Sequence, residues 1–293
     1  MLELTKLNRT FGARPALIDV GFTIAPGRMT GFVGGNGAGK TTTMRIILGV
    51  LSADSGTITM DGRPLALEDR QQFGYMPEER GLYPKMRASE QLVFLARLHG
   101  LGQRVAAANA EALLDKLEVA NADQPIEKLS LGNQQKVQIA AALVHDPHVL
   151  ILDEPFSGLD PMAVDVVLSV LREFADRGVP VLFSSHQLDV VERLCDDLVI
   201  ISGGRIRAAG PRAALQEQYR DNSYETELDG DAGWLRELPG VTITDFAGNR
   251  ARFRADSPEA AQQVLRLALE RGPVLSFSPH RPRLAEIFKE VVQ

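Results

Sequence analysis

The sequence has a single cysteine and a single tryptophan, and nowhere an apolar run long enough for a bilayer. With Cys195 alone, no disulfide can form within the chain, and a reducing cytoplasm is the expected setting. Its neighbours Val191, Leu194 and Leu198 are those of a buried structural thiol rather than a reactive one. No stretch approaches the roughly 18 consecutive apolar residues of a membrane helix, so any membrane role passes through a partner. Residues 1–6 alternate like a strand and lack the apolar core of a signal peptide. A basic excess is missing too. Lys and Arg total 32 against 38 Asp and Glu, for a net charge of −6 over 293 residues. Nucleic acid is therefore not expected as the main partner. There are no internal repeats and no low-complexity tracts.

What is present is one phosphate-binding turn, residues 34–41, Gly-Gly-Asn-Gly-Ala-Gly-Lys-Thr. It fits the pattern G-x-x-x-x-G-K-[ST] at every fixed position. The residues before it, 29–33, read as a buried strand, and those after it, 41–48, as the first turns of a helix. Gly34, Gly35, Gly37 and Gly39, with Asn36 and Ala38 between them, let the backbone turn tightly and aim its N–H groups inward. The positive end of the following helix falls on the same spot. Lys40 would reach the β- and γ-phosphates, and the Thr41 hydroxyl would bind Mg²⁺, with Thr42 beside it. The pattern predicts a nucleotide site.

The rest of the chain arranges itself around that turn. Strands are predicted at residues 2–7, 18–24, 55–60 and 73–79, the last ending at Pro77-Glu78-Glu79. From residue 84 to 147 apolar residues recur at helical spacing, at 90–99, 105–117 and 136–144, marking a helical insertion. Residues 149–152, Val-Leu-Ile-Leu, fit a strand covered on both faces of a parallel sheet. Asp153 and Glu154 follow at its C-terminal end, where ligands of open α/β sheets bind. A helix at 164–175, a buried strand at 179–183 ending in Ser184-Ser185-His186, strands at 198–201 and 206–209, and a helix at 211–219 complete a first domain, residues 1–220. Residues 221–223 read as a linker. Residues 223–293 follow as strand 224–228, helix 232–238, strands 241–246 and 250–255, helix 258–270, strand 274–277 and helix 283–292. The first six elements form a β-α-β-β-α-β series, which predicts a small ferredoxin-like domain.

Hydrolysis of a γ-phosphate needs neutralised phosphoryl oxygens, a metal and an oriented water. Asp153 suits the metal shell. Glu154, one residue on, points elsewhere and suits the group that orients and polarises the water. His186 ends a neighbouring strand within reach of a γ-phosphate. His99, His145, His148 and His280 show no ligand spacing and read as surface or packing residues. Phe11, in the segment Arg9-Thr10-Phe11-Gly12, could stack on a purine ring.

Taken in order, the residues 34–41 turn, the Pro77-Glu78 loop, residues 129–133, Val149 through Pro155, residues 157–160 and His186 resemble the ATP-binding subunit of ABC transporters over about residues 2–219. The resemblance implies a P-loop NTPase core: a mostly parallel sheet, an antiparallel β subdomain and a helical subdomain. It implies that two such domains, identical or related, meet head to tail, and that Ser130, Gly132 and Asn133 cap the γ-phosphate held by the opposite copy. Asp160 would lie across that seam. Phe11 would stack on adenine, Thr41 and Asp153 would hold Mg²⁺, Glu154 would be the base, and His186 would contact the γ-phosphate. Three departures stand out. Phe11 replaces the usual Tyr, Leu131 and Asn133 replace Gly and Gln, and Glu78 stands where a Gln is expected beside the metal. Lys40, Glu78, Glu154 and His186 thus make the candidate catalytic set, with Thr41, Asp153 and Glu78 as candidate metal ligands.

The tail beyond residue 222 resembles the C-terminal extension of ATPases serving ABC-2 type exporters. The implied assembly is a peripheral ATPase on the inner face of the cell membrane, bound to a separate integral-membrane permease. A soluble ABC ATPase of DNA repair or ribosomes is the competing reading. Against it, the helical insertion is short and without cysteine, and the chain carries one nucleotide domain. A P-loop kinase leaves residues 129–133 and His186 without a role.

Overall fold

The lead-in strands are longer than alternation alone predicts. In a computed structural model, which describes residues 1–79 and 81–292, β1 runs Leu2–Phe11 and β2 Arg14–Ile24, antiparallel, with Leu2 opposite Ile24 and Phe11 opposite Arg14. Register shifts interrupt that ladder between Leu4 and Thr10, so buried and exposed positions drift out of strict period two. Residues 8–11 therefore do not read as strand from their pattern. β3 (Met29–Val33) is buried at every position and feeds the phosphate loop and α1 (Lys40–Ile47). β4 (Ser55–Met60), β5 (Arg63–Pro64), the short α2 (Leu67–Arg70) and β6 (Phe73–Met76) follow.

The helical insertion consists of α3 (Ala88–Leu98), α4 (Gln103–Lys116) and α5 (Leu131–Leu143). α5 begins at Leu131 rather than at Lys136, because Ser130 caps it, its Oγ accepting the Asn133 N–H at 3.3 Å. Next come β7 (Val149–Leu152), α6 (Pro161–Asp176), β8 (Val181–Ser185), α7 (Leu188–Leu194), β9 (Asp197–Ser202), β10 (Arg205–Pro211) and α8 (Arg212–Gln218). α7 buries only Val191 and Leu194, too few to show a helical period in sequence.

Two sheets follow from these pairings. β2-β1-β4-β5 is antiparallel, and the larger sheet has the order β10-β9-β3-β8-β7-β6. In the larger sheet β9, β3, β8, β7 and β6 run parallel and only β10 runs antiparallel. β8 therefore lies between β3 and β7. The loops after β3, β7 and β8 all leave the same C-terminal edge, which is what brings the chemistry together. Phe32, Met44, Ile47, Ile151 and Leu182 are fully buried in the core beneath that edge.

The chain divides into two compact units, Met1–Arg212 with Val291 and Val292, and Ala213–Glu290, so that α8 after Arg212 and α10 up to Glu290 go with the second. The second is built from β11 (Ser223–Leu228), a 3-10 turn (Gly233–Glu237), β12 (Val241–Ala247), β13 (Arg250–Ala255), α9 (Pro258–Arg271) and β14 (Val274–Pro279), ending in α10 (Leu284–Val292). Its antiparallel sheet has the order β12-β13-β11-β14, the ferredoxin-like arrangement. The helix predicted over residues 232–238 is that 3-10 turn. So short a segment, holding Gly233 and stopped by Pro239, cannot sustain an α-helical nucleus. Phe253 centres the apolar core, with Val264 and Ala261 of α9 against it.

One histidine departs from the surface-or-packing reading. His280 is buried, with Nδ1 2.9 Å from Glu225 and Nε2 2.7 Å from Glu286, and Arg252 bonds both carboxylates at 2.9 Å. Burial opposes ionisation of Glu286, but His280 and Arg252 hold its carboxyl below the ordinary range. In the first unit His99 stacks on His145 at 3.7 Å. Burial, with a smaller push from His99, takes His145 down to about 4.

Candidate functional site

The glycines of the phosphate loop are there for space as well as for curvature. A Cβ on Gly34 would lie 2.5 Å from the Ile201 carbonyl oxygen, and one on Gly39 would lie 2.7 Å from Leu17, at a φ of +114°. Only glycine lets the loop pass this close to β9 and β2. The result is a cavity of about 250 Å³ lined by Ala16, Gly35 through Thr42, Glu78, Asp153 and Glu154. Lys40 is buried, and its Nζ donates to the carbonyls of Gly34 at 2.6 Å and Gly35 at 3.3 Å. It is thereby laid along the loop whose N–H groups would receive phosphate.

One hydrogen-bonded chain ties the acids to the loop. The Thr41 hydroxyl donates to Asp153 Oδ2 at 2.8 Å. The Ser184 hydroxyl donates to Asp153 Oδ1 at 2.5 Å and accepts the Glu154 N–H at 2.9 Å. Glu154 has a φ of +53°, a left-handed conformation that a non-glycine residue holds only when its surroundings fix it. Here Ser184 fixes its N–H, and Gln135 of α5 fixes its carbonyl at 3.2 Å and that of Pro155 at 3.1 Å. The strained backbone turns the Glu154 side chain out of line with Asp153. Its Oε2 lies 3.0 Å from His186 Nδ1, and the imidazole is largely solvent-exposed.

Hard oxygen donors at the cavity wall, a threonine hydroxyl and a carboxylate in mutual contact, fit a divalent cation such as Mg²⁺ that completes its shell from phosphate and water. Among the described residues no three His, Cys, Asp or Glu side chains are grouped to hold an ion by themselves. That is the arrangement expected where a nucleotide supplies the remaining ligands.

Not all of the sequence-predicted residues converge on this cavity. Gly34 borders it only through its carbonyl. Phe11 ends β1, 47% exposed as a residue, with the Arg9 guanidinium 5.0 Å from the ring centre. Ser130, Gly132 and Asn133 sit at the start of α5. There the Asn133 N–H is engaged by the Ser130 cap, and its side-chain oxygen accepts the Ala120 N–H at 3.3 Å. Asp160 caps α6, accepting the Ala163 N–H at 2.8 Å. Gly132 faces the loop before α6: a Cβ there would lie 3.8 Å from Leu159. The α5 start and the Asp160 loop thus form a neighbouring surface that does not line the phosphate cavity. Sequence reasoning overlooks three members of the site. Ala16 belongs to β2, while Ser184 and Gln135 reach the acids from strands and helices distant in sequence. The only sequence signal for Ser184 is its place at the end of a buried apolar strand next to His186.

Comparison with known proteins agrees with this geometry. Residues 17–157 match the family model described as ABC transporter, and residues 210–292 match the model described as ATP-binding protein DrrA1-3-like, C-terminal domain. The chain is 36% identical over its whole length, and over 98% of the relative, to the uncharacterized ABC transporter ATP-binding protein YhaQ of Bacillus subtilis. It is 37% identical over 98% of its length, and 95% of the relative, to the Nod factor export ATP-binding protein I of Burkholderia lata. A solved ATP-binding subunit of an ABC transporter superposes with a TM-score of 0.67 at 34% identity, over 75% of this chain and 93% of that one.

Proposed function

This chain belongs to the family of ABC transporter ATP-binding proteins, and on that premise we propose how its residues bind and hydrolyse ATP and what they drive. The loop of residues 34–41 and Lys40 take the phosphates, and Phe11 takes the adenine. Thr41 and Asp153 would hold Mg²⁺ with Glu78 close by, and the ion would supply charge neutralisation on the phosphoryl oxygens. Glu154 orients a water toward the γ-phosphorus and accepts its proton as the new P–O bond forms and the bond to ADP breaks. His186, held against Glu154, contacts the γ-phosphate and keeps the carboxylate aimed. The observation that supports this reading is the chain of hydrogen bonds from the Thr41 hydroxyl through Asp153 and Ser184 to the Glu154 N–H, at one strand end beside the phosphate loop.

Ser130, Gly132, Asn133 and Asp160 stand outside the cavity, as they must if they serve the nucleotide of a second cassette, identical or related. Closing two such faces on ATP, and releasing them once the γ-phosphate is lost, is the power stroke. No helix among the described residues is long and apolar enough to cross a membrane; on this reading the transport path belongs to a separate permease. With that permease the chain would lie at the cytoplasmic face of the membrane. Relatives named for Nod factor export and linearmycin resistance support an exporter. Affinity purification of the tagged chain from its host's membranes tests this. A polytopic membrane protein should copurify and should raise the ATPase rate when the two are reconstituted. A chain recovered only from the soluble fraction, indifferent to every membrane protein made beside it, would overturn the proposal.

A further inference from the structure

The wall of the phosphate cavity carries three carboxylates, Glu78, Asp153 and Glu154, against one ammonium, Lys40. That balance is unusual for a surface meant to receive about four negative charges. The Asp153 carboxylate is committed within the hydrogen-bonded chain and that of Glu154 lies against His186, and both have stated roles. Glu78 is different. It is exposed on the loop after β6 and lines both the phosphate cavity and an adjoining cleft of about 290 Å³, shared with Thr41, Arg45 and Tyr75. Arg45 is the only cation among the described residues lining that cleft. Glu78 therefore adds a carboxylate beside Thr41, where Lys40 of the phosphate cavity and Arg45 of the cleft are the cations among the described lining residues.

We propose that Glu78 makes nucleotide binding conditional on the divalent cation, so that the cassette discriminates metal-bound from metal-free ATP. The proposal rests on the nucleotide reading above and concerns the charge of Glu78, whether or not its carboxylate touches the ion. A carboxylate at this wall acts with opposite sign on the two components of the ligand. It repels the triphosphate and attracts the cation. By linkage, what it costs the bare nucleotide it returns when the ion is present. A neutral amide at the same position would bind both forms with less distinction. A unit charge removed at this range in a partly solvated cavity changes affinity about tenfold.

Calorimetric titration with ATP in excess EDTA and with ATP in excess MgCl2 separates the two ligands. Glu78→Gln should bind metal-free ATP about tenfold tighter than the parent chain. The ratio of its two affinities should narrow by a similar factor. Glu79→Gln removes the same charge one residue away, from a side chain that lines the adjoining cleft alone, and should leave the ratio within about twofold. An unchanged ratio in Glu78→Gln, with MgATP binding intact, overturns the proposal while leaving the nucleotide site standing. An equal shift in Glu79→Gln overturns it as well, by tracing the effect to net charge. Failure of the parent chain to bind either form would instead bring down the nucleotide reading and this inference with it.

Discussion

Replacing Ser184 by alanine isolates the junction on which the proposed chemistry depends. Ser184 is fully buried, and its hydroxyl serves both acids at once, donating to Asp153 and accepting from the Glu154 backbone. Alanine fills nearly the same space, so no large cavity is created. The loss is polar. The Glu154 N–H is left buried without an acceptor, at a cost of about 1–3 kcal/mol. Asp153 loses one charge-assisted bond but keeps the one from Thr41. The combined destabilisation should be about 2–4 kcal/mol, read as a lowered urea midpoint. The functional effect should be larger than that stability loss suggests. Ser184 helps hold Glu154 in its left-handed conformation, and a displacement of about 1 Å at a catalytic group can slow a reaction about a hundredfold. Steady-state ATPase assays at saturating magnesium should show kcat reduced about 10- to 100-fold. KM for ATP should change less than about threefold, because Lys40 and the loop amides are untouched. A variant destabilised by about 2 kcal/mol or more, yet turning over within twofold of the parent, would refute the claim that Ser184 positions the base.

Two further expectations follow from groups elsewhere in the first unit. Lys40→Ala removes the one ammonium of the cavity and should weaken ATP binding by about 10- to 100-fold in calorimetry, as for loss of a charge-assisted contact; affinity within threefold of the parent would contradict the assignment. His145 is held down to about 4 by burial, against an ordinary 6.5. Its neutral form is the folded form, so its contribution is complete above pH 6.5 and is lost as pH falls toward 4. At pH 5 the loss should be about 2 kcal/mol, from about 1.5 pH units at 1.36 kcal/mol each. His145→Gln should flatten the fall of the urea midpoint between pH 7 and 5, and an equally steep fall in the variant would show that other groups dominate.

The parts of the site legible in the sequence are those whose chemistry is local. A strand, a glycine turn, Lys40-Thr41 and a helix sit within one short segment, and Asp153-Glu154 close a run of four apolar residues that can only be an interior strand. The functional residues that escaped are non-local. Ser184 touches both acids because β8 lies between β3 and β7, an order that no residue of β8 announces. Gln135 reaches Glu154 because α5 starts at Leu131, and its capping serine reads first as part of a recognition motif. Ala16 lines the cavity because β2 curls beside the loop, its register shifted against β1. In the second unit the strand order was readable from the β-α-β-β-α-β sequence of elements. The His280–Glu225–Glu286–Arg252 cluster was not, since its members are spread over three strands' worth of chain and α10, and only pairing across the sheet joins them.

The most direct test of the account is sedimentation of the Glu154→Gln variant with ATP and magnesium, run beside its single-turnover hydrolysis. The amide keeps the shape of the site but cannot take the proton from water. ATP should stay bound and unhydrolysed over many parent turnovers, with the chain paired into a dimer, alone or with a related cassette. Hydrolysis near the parent rate, in a chain that stays monomeric with ATP and every candidate partner, would contradict it.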